Sequence, residues 1–175
     1  KATTAAVKSY LVESEIAHFS CHGTANLTNP LNSGLLMHDG LLTLKDIFAL
    51  NLAENDGLRL VILSACETGL SGFENADEAI SLPTGLIQGG AAAVIASLWS
   101  VSDLSTMILL TRFYDFWRTE GLEISQALRY AQQWVRDTEN QQKYDYLKVT
   151  FQKLVDIQRM SKQEVDELLR SFLLQ

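Results

Sequence analysis

A cysteine and a histidine, each placed just after a short apolar run, are the residues of this chain best suited to chemistry. Cys66 lies in the segment 63–69 and follows the run 58–63, and His22 with Gly23 follows a similar run upstream. A thiol becomes a strong nucleophile near neutral pH when a neighbouring imidazole removes its proton. The two residue types therefore predict a cysteine peptidase in which His22 activates Cys66.

Buried parallel strands are the elements that would position these side chains. A short β-branched run ending in small residues is typical of a strand leaving a parallel sheet, and we predict strands at about 16–21, 58–64 and 92–99. A loop is predicted at 22–34, a hairpin at 35–42, and helices at about 3–13, 43–50, 79–88, 103–117, 123–138, 143–158 and 161–174. Capping boxes are predicted at Thr43 with Asp46 and at Ser161 with Glu164, and glycines at 89–90 end the helix at 79–88. This alternation predicts an α/β fold with a mainly parallel sheet flanked by helices. Such sheets bind ligands at the carboxyl edge of their strands.

The predicted mechanism uses a dyad and two backbone amides. His22 would take the thiol proton of Cys66 and later protonate the leaving amine. The N–H groups of Gly23 and Cys66 would hold the oxyanion, since a glycine lets a substrate carbonyl approach without a Cβ in the way. No acidic residue stands out as a partner that would orient His22, so we expect a dyad rather than a triad.

Trp99 and Asp103 follow the third predicted strand, at the same expected sheet edge. An acid beside an aromatic ring is suited to binding a basic substrate side chain. The ordinary alternative is that Trp99 belongs to the core and Asp103 is the N-cap of the next helix. Position alone leaves both interpretations open.

Other chemistries agree less well with the spacing. A tyrosine-phosphatase loop needs an arginine six residues after its cysteine, where this chain has Gly72. A zinc site made of His18, Cys21, His22 and Cys66 is conceivable, but strand alternation places His18 and Cys21 on opposite faces. We therefore expect no metal and no cofactor, with His18 and Cys21 in the core.

The composition favours a protein substrate over nucleic acid or membrane. The 175 residues include 14 Lys and Arg against 21 Asp and Glu, a formal net charge of −7, without a basic cluster that would bind phosphate backbones. Neither a membrane-spanning apolar run nor a leader peptide is evident. Two cysteines outside any Cys-x-x-Cys pair suit a reducing compartment, and we expect a cytoplasmic protein. The start at Lys1, inside a helical pattern, suggests a piece of a longer polypeptide.

Taken in order, these motifs resemble the CHAT domain, a caspase-like module that is related to separases and associated with tetratricopeptide repeats. The similar segments within about residues 5–135 are 18–23, 33–40, 63–69, 97–103, 113–114 and 127–132. The resemblance implies a caspase-like three-layer fold and places a His/Cys dyad on His22 and Cys66. The stretch from Trp99 to Asp103 resembles the separase segment whose acid lines a pocket for arginine, which implies cleavage after Arg or Lys.

We predict a caspase-like domain at 1–140, lacking the N-terminal part of the full domain, and a helical extension at 141–175. The resemblance implies a role in bacterial signalling or defence, with repeats elsewhere in the polypeptide recruiting the protein substrate. Two alternatives remain open. One is a catalytically silent scaffold that binds partners through the helical tail, and the other is a redox-sensing thiol protein that uses Cys21 and Cys66.

Overall fold

The computed structural model describes residues 1–26, 28–54, 57–64, 81–99 and 101–173. They form two compact units, Lys1–Val101 and Ser102–Gln175. The strands are β1 (Ile16–Phe19), β2 (Gly23–Thr24), β3 (Gly34–Met37), β4 (Gly40–Thr43), β5 (Leu60–Leu63) and β6 (Val94–Ile95). The helices are α1 (Thr4–Glu13), α2 (Leu44–Phe48), α3 (Leu82–Gln88), α4 (Asp103–Tyr114), α5 (Ile124–Asp137), α6 (Asn140–Asp156) and α7 (Lys162–Leu173).

A parallel sheet of three strands, in the order β1-β5-β6, organises the first unit. All four side chains of the central strand β5 are buried, so both of its faces are covered, as its unbroken apolar sequence requires. The predicted α/β class with a parallel sheet is confirmed. The outer strands are shorter than predicted: β1 pairs with all four residues of β5, whereas β6 pairs only with Val61 and Ile62.

A second, antiparallel sheet contains the predicted hairpin. Its strand order is β2-β3-β4, and the turn brings Met37 opposite Gly40, whose φ of 152° favours glycine. Strand β2 lies within a segment that the sequence predicted to be loop, and two residues are too few to show a periodic pattern. Leu35 and Leu42 of the hairpin share one hydrophobic core with Val61 of β5 and with residues of α1, α2 and α3.

Helix starts follow local polar signals. Thr43 and Asp46 form the predicted capping box of α2, and Ser161 forms another with Glu164 ahead of α7. The N-cap of α4 is Ser102, whose Oγ accepts from the Ser105 amide at 3.4 Å. The interpretation of Asp103 as the N-cap was therefore wrong, because the serine one residue earlier has the extended backbone that a cap needs.

The second unit is helical. Its core cluster joins Ile108 of α4 to Leu147 and Phe151 of α6 and to Val165 and Leu169 of α7. The two helices of the predicted tail thus bury apolar side chains against α4. The division of the chain at about residue 140 stays a prediction.

An ion pair between α1 and the start of α2 makes the first unit sensitive to acid. Lys8 Nζ lies 2.6 Å from Asp46 Oδ1, with each side chain about one third exposed. Donation by Lys8, and then by Thr43, lowers the pKa of Asp46 from 3.8 to about 2. A carboxylate with a lowered folded-state pKa stabilises the fold above its unfolded-state pKa, and this contribution is lost as the pH falls from about 4 to about 2.

We expect Asp46→Asn to lower the free energy of unfolding at pH 7 by about 1 kcal/mol, a value reduced by solvent screening. The difference from wild type should shrink below about pH 4, where the unfolded-state carboxyl is protonated. Urea unfolding at a series of pH values measures both quantities. Glu15→Gln is the control, because the 3.8 Å pair of Glu15 with Arg59 is highly exposed and should contribute little. A difference that stays constant down to pH 2.5 would contradict the assignment to this carboxylate.

Candidate active site

The segments that carry the predicted dyad begin side by side at one edge of the parallel sheet. Phe19, the last residue of β1, pairs with Leu63, the last residue of β5, and the Ser64 amide donates to the Phe19 carbonyl at 2.9 Å. The chain reaches His22 three residues after Phe19. Cys66, two residues after Ser64, lies outside the described residues.

The hairpin sheet holds the backbone around His22, while its side chain is exposed to solvent. The His22 carbonyl accepts from the Leu36 amide at 2.8 Å. Gly23 is the first residue of β2 and lies opposite Leu35. Strand β3 therefore holds the chain at His22 and at the residue that follows it.

The pairing pattern also sets the direction of the Gly23 amide. In an antiparallel ladder, hydrogen-bonded and non-hydrogen-bonded pairs alternate. The bond from Leu36 to His22 makes these two a hydrogen-bonded pair, so Gly23 and Leu35 form a non-hydrogen-bonded one. The Gly23 N–H consequently points away from β3, toward the outer side of this edge strand.

His18 and Ser64 form a contact at the same strand ends that the sequence did not predict. His18 Nε2 lies 3.1 Å from Ser64 Oγ, and Ser64 Oγ donates to the Phe19 carbonyl at 3.2 Å. The expectation that His18 is a core residue was wrong, since it lies in an edge strand and remains exposed. Neighbouring atoms still remove enough water from the ring to lower the pKa of His18. The register of β1 against β5, which pairs Phe19 with Leu63, brings His18 near Ser64. A single sequence does not reveal that register.

Cys21 is half-buried and packs against the core of the first unit, as the sequence suggested. Its burial raises the pKa of the Cys21 thiol above its usual range. A thiol with a raised pKa is protonated at neutral pH and is a poor nucleophile. Cys21 is therefore unsuited to be the reactive cysteine.

Trp99 and Asp103 lie in different units. Trp99 follows β6 with its side chain 66% exposed, next to an even more exposed Leu98. The interpretation of Trp99 as a core residue was therefore wrong. Asp103 is the first residue of α4 and is exposed.

The described residues contain neither a metal-binding cluster nor a membrane-spanning helix. Among those residues, no three His, Cys, Asp or Glu side chains come together in a way that would hold a metal ion. Within the same part of the chain, none of the helices combines the length and apolar character needed to cross a lipid bilayer.

The parallel sheet, with a histidine segment and a cysteine segment leaving adjacent strands, has caspase-like features. A model of the CHAT domain family matches residues 1–163, nearly the whole chain. None of the curated proteins compared with the chain matches it. The chain belongs to the CHAT domain family, whose members are related to caspase-like peptidases.

Proposed function

We propose that the protein is a cysteine endopeptidase with Cys66 as its nucleophile and His22 as its general base. The observation that carries the proposal is the pairing of Phe19 with Leu63 in adjacent parallel strands. It starts the segments leading to both residues at one sheet edge, where α/β folds place their sites.

In the proposed reaction, His22 accepts the thiol proton of Cys66 and the thiolate attacks the scissile carbonyl. The imidazolium of His22 protonates the leaving amine, which leaves a thioester on Cys66. His22 then takes a proton from water, and the resulting hydroxide attacks the thioester. The C–S bond breaks, the acid product leaves, and the Cys66 thiolate takes the proton back from His22. The exposure of His22 supports this role, because a general acid–base must reach the substrate.

The proposed oxyanion hole consists of the backbone amides of Gly23 and Cys66. The register of β2 and β3 supports the contribution of Gly23, since its N–H points away from the sheet. Each such donor is typically worth about 3 kcal/mol of transition-state stabilisation. The absence of a Cβ at position 23 leaves space for the substrate carbonyl.

The proposed substrate is a protein cleaved after a basic residue, with Asp103 pairing with the cation and Trp99 forming a wall. The exposure of the Trp99 ring supports its availability to a ligand. A regulatory region in the same longer polypeptide, such as tetratricopeptide repeats, would recruit the substrate in the cytoplasm.

Alkylation of Cys66 tests whether His22 activates it. We expect His22→Ala to slow iodoacetamide labelling of Cys66 about 10- to 100-fold at pH 6, because the thiol pKa returns toward its free value. Mass spectrometry of the Cys66 peptide across pH 5 to 9 gives the rates and separates this thiol from Cys21. His38→Ala, which removes an exposed histidine of the hairpin turn, is the matched control and should leave the rate unchanged. Equal rates for wild type and His22→Ala would remove His22 from the role of base.

A further inference from the structure

A chain of hydrogen bonds connects the ends of β1 and β5 through two side chains. His18 Nε2 contacts Ser64 Oγ at 3.1 Å, and Ser64 Oγ contacts the Phe19 carbonyl at 3.2 Å. The same carbonyl accepts the Ser64 amide at 2.9 Å. Ser64 is thus held to β1 by its backbone and by its side chain.

The donors in this chain depend on the tautomer of His18. A serine hydroxyl carries one hydrogen, which Ser64 can direct either at the Phe19 carbonyl or at His18 Nε2. When Ser64 donates to the carbonyl, His18 donates to Ser64 Oγ from Nε2, and when Ser64 donates to Nε2, the proton of a neutral His18 ring is on Nδ1. A lowered His18 pKa, caused by loss of water around the ring, agrees with a neutral imidazole. In either arrangement Nε2 of His18 is bonded to Ser64.

These hydrogen bonds lie where the segments that lead to His22 and Cys66 begin. Phe19 and Ser64 are the points at which the two segments leave the paired strands, one toward His22 and the other toward Cys66. Beyond a strand end, the direction of the chain depends on whatever holds its first residues. The side-chain hydrogen bonds of His18 and Ser64 at this point restrict the direction in which both segments leave the sheet.

We propose that His18 and Ser64 are positioning residues that hold the ends of β1 and β5 in a fixed relation and thereby set the distance between His22 and Cys66. The inference rests on the proposed function of that dyad. Neither residue touches the reacting atoms in this role. Their effect on the reaction should pass entirely through the geometry of the dyad.

A double-mutant cycle on the full 175-residue chain separates this role from a general structural one. The readout is the iodoacetamide rate at Cys66 at pH 6. We expect Ser64→Ala and His18→Phe each to lower it about tenfold, the size of effect that a small misplacement of a reacting group causes. In a His22→Ala background the same changes should have almost no effect on this rate, because Cys66 then has no imidazole partner whose position matters.

Conservative variants and matched controls complete the design. His18→Gln can donate from its amide nitrogen to Ser64 and should recover most of the rate, and Ser64→Thr keeps the hydroxyl. His38→Phe and Ser9→Ala make the same kinds of change at exposed positions and should leave the rate unaltered. Nitrogen-15 spectra of the histidine rings, independent of any activity, report the tautomer of His18, and Ser64→Ala should alter the signal of its Nε2.

The outcomes distinguish the two proposals. Equal rate losses in the wild-type and His22→Ala backgrounds, or a His18 ring signal that Ser64→Ala leaves unchanged, would overturn the positioning role. Coupled losses without peptide cleavage by the wild type would leave the positioning role intact and remove the peptidase. Normal cleavage by both the wild type and Ser64→Ala would overturn the positioning role and leave the peptidase proposal intact.

Discussion

Cys66→Ala is expected to lower peptide cleavage by about four to six orders of magnitude, the range found when a peptidase loses its nucleophile. The loss is so large because the proposed reaction depends on a thioester at Cys66, and Cys21, the other thiol, is a poor substitute. Cleavage of a peptide library by wild type and by Cys66→Ala, followed by mass spectrometry, measures it. The matched control is Cys21→Ala, since the raised pKa of the half-buried Cys21 thiol makes that residue a poor nucleophile.

The same library reports which residue precedes the cleaved bond. We expect Arg or Lys, because an exposed acid and an exposed indole are suited to a basic side chain. A preference for aliphatic residues would remove Asp103 and Trp99 from the substrate site while leaving the dyad in place. Equal cleavage by wild type and Cys66→Ala would end the peptidase proposal and favour the scaffold alternative.

Gly34→Ala is expected to lower the free energy of unfolding by about 3 kcal/mol, at the upper end for overpacking. A Cβ at position 34 would press against the Leu42 carbonyl oxygen and lie 2.9 Å from Thr43 Cα. Both are backbone atoms of β4, so neither can move aside as a flexible side chain would. Urea unfolding followed by far-UV circular dichroism measures the free energy of unfolding.

Gly40→Ala, at the turn of the same hairpin, is the control. A Cβ at Gly40 would meet nothing within 4 Å, although its φ of 152° is rarely adopted by other residues. Gly40→Ala should therefore cost only about 1 kcal/mol, the usual backbone effect. Similar losses at the two positions would show that backbone conformation, and not the close approach of β4, determines the cost at Gly34. Because β3 pairs with β2, a disrupted hairpin should also slow labelling of Cys66 by displacing His22.

Elements with strong local signals were predicted well. The capping boxes at Thr43 and Ser161 and the glycine-terminated helix α3 are found where expected. Each depends on residues three or four positions apart, so the sequence contains everything needed to recognise it. Strand β2 and the N-cap of α4 were missed, one because it is very short and the other because Ser102 and Asp103 are both good caps.

The amino-acid sequence by itself determined the α/β class, the order of the helices and the candidate residues His22 and Cys66. Tertiary structure alone decided that β1 and β5 are neighbours, that His18 contacts a serine 46 positions away, and that the Gly23 amide faces outward. The physical reason is that hydrophobic period and capping are local properties of a chain, whereas strand register depends on how distant segments bury their apolar faces together.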